Sequence, residues 1–277
     1  ILCKLSHRTL SLQNNEGWFF EYGGPDLGYL SVTLDCLWDL FDATGNFEYI
    51  KSASKAIDFI YKITSVTKTS IGMLNARNTD YVLPYGIARF LNQNDELKGK
   101  ASFLLDLLYS GMNDKDHYLQ ALDDRYLCHY IGHSIFRTCN LLKGFENIKS
   151  DIEIINKDLY FEDSGYILLK SKERKYSTLI ATKKGGSLII NFNNQKCSDY
   201  GWIIKGKKYT YASNWWADFW ITERDTNYIQ IIGYMTPHNE NNSNTIKHFF
   251  LRLLSFIFRD KLIPFLKELM IFKIHGK

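Results

Sequence analysis

The chain has 277 residues, enough for one large domain or two ordinary ones. A hydrophobic share of 45% and a charged share of 23% are the balance of a globular protein with a sizeable core. The net charge of +4 excludes the concentrated basic excess of a typical nucleic-acid binder, yet it suits a polyanionic glycan.

The aromatic share is 15%, from 18 Tyr, 18 Phe and 6 Trp. Core packing accounts for most of it, and stacking on the apolar faces of sugar rings is the functional alternative. Cys3, Cys36, Cys128, Cys139 and Cys197 are scattered, odd in number and without a CxxC pair. That excludes a disulfide scaffold and a structural zinc site, and predicts buried free thiols.

The first half reads as helix, turn, helix. Leu30, Leu34, Leu37, Leu40 and Phe41 recur at helical spacing over 29–42. Ala43-Thr44-Gly45-Asn46 breaks the pattern, which resumes over 47–63 through Ile50, Ala53, Ile57 and Ile60. Further helices are predicted over about 81–91, 97–111 and 123–143, with short connections that imply antiparallel hairpins.

The character changes near Ser150. Runs such as 166–169, 177–181, 187–192 and 228–232 are β-branched and aromatic and are separated by turn residues. Gly185-Gly186, Asn193-Asn194 and Lys205-Gly206-Lys207 supply the turns, with Lys183-Lys184 expected as a solvated hairpin end. Strands at this spacing without intervening helices predict antiparallel sheets in a sandwich-like domain. The expected organisation is therefore helical hairpins over 1–150 and a sheet domain over 151–277. The segment 246–274 is apolar but carries Arg252 and Arg259, and is broken by Pro264. It is too short and charged for a membrane span and reads as a buried or partner-facing helix, with an interfacial membrane helix as the lesser alternative.

The most distinctive stretch is 15–29, Asn-Glu-Gly-Trp-Phe-Phe-Glu-Tyr-Gly-Gly-Pro-Asp-Leu-Gly-Tyr. It resembles the acidic-Gly-aromatic, Gly-Pro, then Tyr segment before an inner helix in heparinase II/III-like proteins and related alginate lyases. Ala76-Arg77-Asn78-Thr79-Asp80-Tyr81 and Asp123-Asp124-Arg125-Tyr126 resemble the same group. So do Tyr160-Phe161-Glu162-Asp163-Ser164-Gly165-Tyr166, Lys184-Gly185-Gly186 and Ser198-Asp199-Tyr200-Gly201 in the second half. The resemblance runs in order along nearly the whole chain. It implies an incomplete α/α toroid followed by an antiparallel β-sandwich domain, with further toroid helices before Ile1 and further strands after Lys277. It also implies a periplasmic or extracellular lyase acting on an acidic polysaccharide, with no cofactor beyond a structural metal in the sheet domain.

Such lyases split uronate chains by β-elimination, so a neutraliser, a base and an acid are needed. The resemblance places Tyr29 as the acid/base tyrosine. Arg77 can fork onto a substrate carboxylate and Asn78 can donate to it, the plain alternative being a local Arg77–Asp80 ion pair and a helix cap. Trp18, Glu21, Tyr22, Tyr81 and Arg125 are the expected substrate contacts around them. His129 and His133 stand four apart on one helical face without the glutamate of HExxH, so glycan contact is preferred over metal binding. Trp215, with Trp216 and Trp220, is the candidate stacking edge in the sheet domain. Two departures from the family pattern stand out. The upstream Asn or His neutraliser has no counterpart in this chain, and no histidine lies between His133 and His238. A non-catalytic glycan-binding or polysaccharide-assembly protein is therefore the second reading. A glycoside hydrolase, drawing on Glu21, Asp26 and Asp124, is the third.

Overall fold

The computed structural model describes residues 8–21, 23–68, 71–111, 131–143, 155–170, 175–193, 195–207, 209–225, 227–238, 249–250, 252–254 and 256. They form helices and antiparallel sheets, a mixed α and β protein. Two compact units divide the chain, 1–182 with 187–200, and 183–186 with 201–277. The change from helix to strand expected near 150 is therefore not where the units part. The first sheet clusters with the helices, because one of them packs along it.

Helix α1, Leu27–Thr44, is written by its ends and one face. Asp26 is extended, with φ of −141°, and its carboxylate accepts from the Tyr29 N–H as an N-cap. Gly45, at φ +68°, closes the other end by donating to the Phe41 carbonyl. Leu27, Leu30, Leu34, Leu37 and Trp38 form the buried stripe. Cys36 lies opposite it and is exposed, as are Cys139 at the end of a later helix and Cys197 on an edge strand, so the described thiols are not the buried ones expected.

Helix α2, Glu48–Thr67, packs against α1 on one side and the first sheet on the other. Its second half is consequently buried on nearly every face, from Ala56 and Ile57 through Phe59, Ile60, Tyr61 and Ile63. A short α3, Tyr85–Ala88, runs into a 3-10 turn, Arg89–Asn92. The longer helix expected over 81–91 fails at Pro84, whose ring keeps Leu83 out of the helical region. Residues 81–83 are extended instead, and the Leu83 N–H donates to Ser31 Oγ at 2.8 Å.

Helix α4, Asp95–Gly111, is capped by Asn94, whose Oδ1 accepts from the Leu97 N–H at 3.0 Å. Helix α5, Gly132–Leu141, occupies part of the segment expected over 123–143, of which 123–130 lie outside the described residues.

One face of α1 clamps α3 and α5. Asp42 receives both guanidinium nitrogens of Arg89, at 2.6 and 2.8 Å. Asp39 pairs with Arg137, which lies 3.5 Å from the Tyr85 ring centroid. Asp35 accepts from the Gly86 N–H at 2.7 Å. Burial raises the Asp35 carboxyl above its usual range, against hydrogen bonds from Ser134 and Gly86 and the charge of Arg137.

The first sheet is an antiparallel meander in the order β1 (Leu159–Phe161), β2 (Tyr166–Leu169), β3 (Tyr176–Ala181), β4 (Ser187–Phe192) and β5 (Gln195–Asp199). Register aligns Leu168 with Leu179 and Leu179 with Ile189, one apolar row. On the same face Tyr166 stacks on Phe59 of α2, with centroids 6.3 Å apart. The sheet also closes the carboxyl end of α2. Lys170 Nζ donates to the Ser65 carbonyl at 3.0 Å, and Ser177 Oγ to that of Val66 at 3.0 Å. Asn191 Nδ2 reaches the carbonyls of Val66 and Thr67 at 3.1 and 3.0 Å. These carbonyls belong to the last turn, where a helix lacks internal donors.

In the second unit, β6 (Ile203–Lys205), β7 (Thr210–Ala212) and β10 (Thr236–His238) make a three-stranded sheet in the order β10-β7-β6. Strands β8 (Ile221–Arg224) and β9 (Ile229–Ile232) make a hairpin. The 183–186 turn is part of this unit. The Lys183 carbonyl accepts from the Ala217 N–H at 2.8 Å, and a Cβ on Gly185 would stand 2.1 Å from the Ser213 carbonyl oxygen. Lys184 is 2% exposed, so the solvated hairpin end expected there is instead filled by its own unit. Of the segment 246–274, the described Phe249, Phe250, Leu253, Leu254 and Phe256 are helical and exposed. No helix among the described residues is long and apolar enough to cross a membrane.

Candidate functional site

The amino end of α1 and the loop 75–80 are held together by two side chains. Asp26 Oδ1 accepts from the Tyr29 N–H at 3.1 Å and from the Thr79 hydroxyl, while its Oδ2 accepts from the Arg77 N–H at 3.0 Å. Asn75 Oδ1 accepts from the Leu27 N–H at 2.9 Å, and its Nδ2 donates to the Thr79 carbonyl at 2.7 Å. The Ala76 N–H completes the seam on the Pro25 carbonyl at 2.9 Å. Gly28 is required here, because a Cβ would stand 2.4 Å from Thr79 Oγ1 and 3.0 Å from the Tyr81 ring.

This seam brings four of the expected residues into one neighbourhood. The Arg77 guanidinium lies 4.3 Å from the Tyr29 ring centroid, a cation–π distance. Its NH1 reaches Glu21 Oε2 at 3.4 Å. Glu21 is positioned by a tight turn in which its N–H donates to the Gly24 carbonyl at 3.0 Å, with Gly23 at φ +98°. The Tyr81 ring is 6.5 Å from that of Tyr29. Asn78 follows at φ +58°, left-handed backbone that asparagine tolerates better than most residues.

The expected contacts are not equally accessible. Tyr29 is half-buried, and Arg77 and Asn78 are at the surface. Tyr81 is 4% exposed and packs with Leu83 and Ile131, and Trp18 is 1% exposed. The Trp18 indole N–H donates to Glu16 Oε2 at 2.9 Å, so this ring braces the loop instead of offering a stacking face. Glu16 also accepts from the backbone of Asp163 and Ser164, tying the loop to the β1–β2 turn. Phe20, 61% exposed, offers more of its ring to solvent and packs on Trp18 at 4.8 Å.

His133 is exposed on α5, and Trp215, 36% exposed, belongs to the second unit, where its carbonyl accepts from the Trp220 indole. Tyr22, Arg125, His129 and Asp124 lie outside the described residues. Among the described residues there is no group of three or more side chains suited to a metal ion. The sequence offers Asp26 only as a spare carboxylate for a hydrolase. It is 1% exposed and committed to two backbone N–H groups, so it organises the site and has no room for acid–base work on a sugar.

Below the seam, Tyr166 is fully buried and its hydroxyl donates to the Leu74 carbonyl at 2.8 Å. Burial, reinforced by the charge of Asp26, raises its phenol well above the usual range. Compared with protein-family models, curated proteins and solved structures, the chain matches none. The site is thus defined by its own geometry: a surface arginine lying over a half-buried tyrosine, beside a carboxylate, on a braced helix start.

Proposed function

We propose that this chain belongs to a protein that cleaves uronic-acid-containing glycans by β-elimination, with Tyr29 moving the proton. Its scaffold, on this reading, is an incomplete α/α toroid followed by an antiparallel β-sandwich domain. The supporting observation is the guanidinium of Arg77 at 4.3 Å from the Tyr29 ring centroid, on a loop that Asp26 and Asn75 fix to the same helix start. Elimination needs the uronate charge neutralised before the neighbouring C–H yields its proton. An arginine fork is suited to that carboxylate, and Asn78 beside it adds an amide donor. A phenol takes and returns a proton when cations stabilise its anion, and Arg77 is a cation beside this ring.

The test is to incubate the full chain with alginate, heparan sulfate, hyaluronan and chondroitin and follow the ultraviolet absorbance of the new carbon–carbon double bond. Absorbance should grow, and Tyr29→Phe should slow it by about 100-fold or more, the usual weight of a lost acid–base group. A flat trace with every polysaccharide sinks the lyase reading. One observation favours a non-catalytic glycan-binding protein on the same scaffold. Glu21 already pairs with Arg77 at 3.4 Å, so a uronate would compete with a resident carboxylate. Saturable binding without unsaturated product would decide for it.

A further inference from the structure

We propose that a lysine-lined cleft in the first unit is a second anion site, taking the sulfated or uronate stretch of an acidic oligosaccharide. The ligand class rests on the reading above, but the cleft shares no lining residue with the Tyr29 site.

The cleft is a shallow, open groove of about 840 Å³. Helix α2 supplies Lys51, Lys55 and Lys62 at i, i+4 and i+11, one face of a helix, with Asp58 among them. Helix α4 adds Glu96 and Lys100, and the segment before β1 adds Lys157. Among the described residues, five lysines thus meet two carboxylates.

Both carboxylates are already paired, Asp58 at the sheltered base of the cleft and Glu96 at its exposed edge. Lys100 Nζ is 2.6 Å from both Asp58 and Glu96, and Lys62 Nζ is 2.6 Å from Asp58. Burial alone would raise the Asp58 carboxyl, but hydrogen bonds from Lys100 and Lys62 outweigh it and hold it below the usual range. Lys62, Lys100, Asp58 and Glu96 therefore balance one another's charge. The rim is not neutral. Among the described residues Lys51 pairs only with Glu48, at 4.0 Å and in solvent, and none of their carboxylates pairs with Lys55 or Lys157.

The lining also selects the kind of anion. Its aromatic residue, Tyr61, is 3% exposed and packed edge-on by Phe103 at 5.4 Å, so no ring is offered for base stacking. Single-stranded nucleic acid would lack its platform there. Compact, strongly hydrated ammonium groups on flexible stems match charges spaced along a chain, as sulfates and carboxylates are on a glycan.

The test is calorimetric titration of the full chain with a heparin octasaccharide, at low and at physiological salt. Lys55→Glu with Lys157→Glu should weaken binding at least about tenfold and flatten its salt dependence. The neutral pair Lys55→Ala with Lys157→Ala should give a smaller loss. Lys98→Glu, exposed on α4 outside the cleft, should leave affinity unchanged, and circular dichroism checks that every variant is folded. Unchanged affinity in the double reversal overturns the cleft, as does no binding by the wild type, or an equal loss in Lys98→Glu. Double-bond formation that persists alongside unchanged affinity overturns the cleft and spares the lyase reading. Binding that is lost in the double reversal, with no elimination by the wild type, does the opposite.

Discussion

The carboxyl end of α2 provides a quantitative test of how helix and sheet are joined. The Val66 carbonyl has two donors, Ser177 Oγ at 3.0 Å and Asn191 Nδ2 at 3.1 Å, and Asn191 also serves the Thr67 carbonyl at 3.0 Å. Val66 and Thr67 are each 1% exposed, so water is not an easy substitute. Asn191→Ala removes one donor from each of two buried carbonyls and should cost about 1–2 kcal/mol. Ser177→Ala leaves Val66 its Asn191 donor and should cost about 0.5 kcal/mol. The double variant strips Val66 of both, so the loss should exceed the sum of the singles by about 1 kcal/mol. The assay is urea unfolding of the full chain, followed by the fluorescence of the buried Trp18 and Trp38. For a unit of this size each kcal/mol should lower Tm by about 2–4 °C. Additivity within about 0.3 kcal/mol would refute the shared-acceptor reasoning.

Two further outcomes follow from buried acids. Because the Asp35 carboxyl is raised in the fold, the native state holds its proton more tightly than the unfolded chain, and stability falls as pH rises from the ordinary carboxylate range through the raised value. Asp35→Asn cannot titrate and keeps an acceptor for the Gly86 N–H, so its stability relative to the wild type should rise between pH 4 and pH 7; a relative stability that is the same at both would show that Asp35 does not titrate with unfolding. Tyr166→Phe should cost about 1–2 kcal/mol at neutral pH by leaving the Leu74 carbonyl without this donor. The same change should soften alkaline unfolding, since the raised phenol makes the wild type lose stability as pH climbs past the usual tyrosine value of about 10. An alkaline limb identical in the two proteins would show that Tyr166 does not titrate with unfolding.

Helix α1 was legible because its signals are local. Asp26 caps it, Gly45 ends it, and the leucine stripe sits at helical spacing between them. Strands β2, β3 and β4 were legible for the same reason, their apolar runs and turns being written in adjacent residues, whereas the short β1 and the polar β5 carry no such run. What failed depended on partners distant in sequence. Residues 81–83 are extended because Pro84 forbids the helix and Ser31, 52 positions away, takes the Leu83 N–H. Trp18, Tyr81 and Lys184 belong to types that often face solvent or ligand, and nothing local reveals that other segments enclose them. The lysines of α2 stand at helical spacing, but only the fold brings Lys100 and Lys157 beside them. At the candidate site, Tyr29, which the resemblance singles out, does meet Arg77 and Glu21. The residue that makes them meet was overlooked, because Asp26 acts across 51 positions on the Arg77 backbone.

That dependence on one carboxylate can be isolated by changing a single atom. Asp26 offers two acceptor oxygens, and two backbone N–H groups use different ones, Tyr29 on Oδ1 and Arg77 on Oδ2. Asparagine has one acceptor oxygen and one donor nitrogen, so Asp26→Asn must turn an NH2 toward one of those N–H groups in either orientation. As an N-cap, asparagine is as good as aspartate, so helix propensity does not account for a loss. Leaving one buried N–H without an acceptor should cost about 1–3 kcal/mol. The favoured orientation keeps the Tyr29 cap and the Thr79 hydroxyl and abandons Arg77, so loop 75–80 should loosen while α1 stays intact. Hydrogen exchange should then speed up at the Arg77 amide and not at Tyr29. The reverse pattern would mean that the loop, and not the helix cap, is the stronger claim on this side chain; no change at either would remove Asp26 as the organiser of the site.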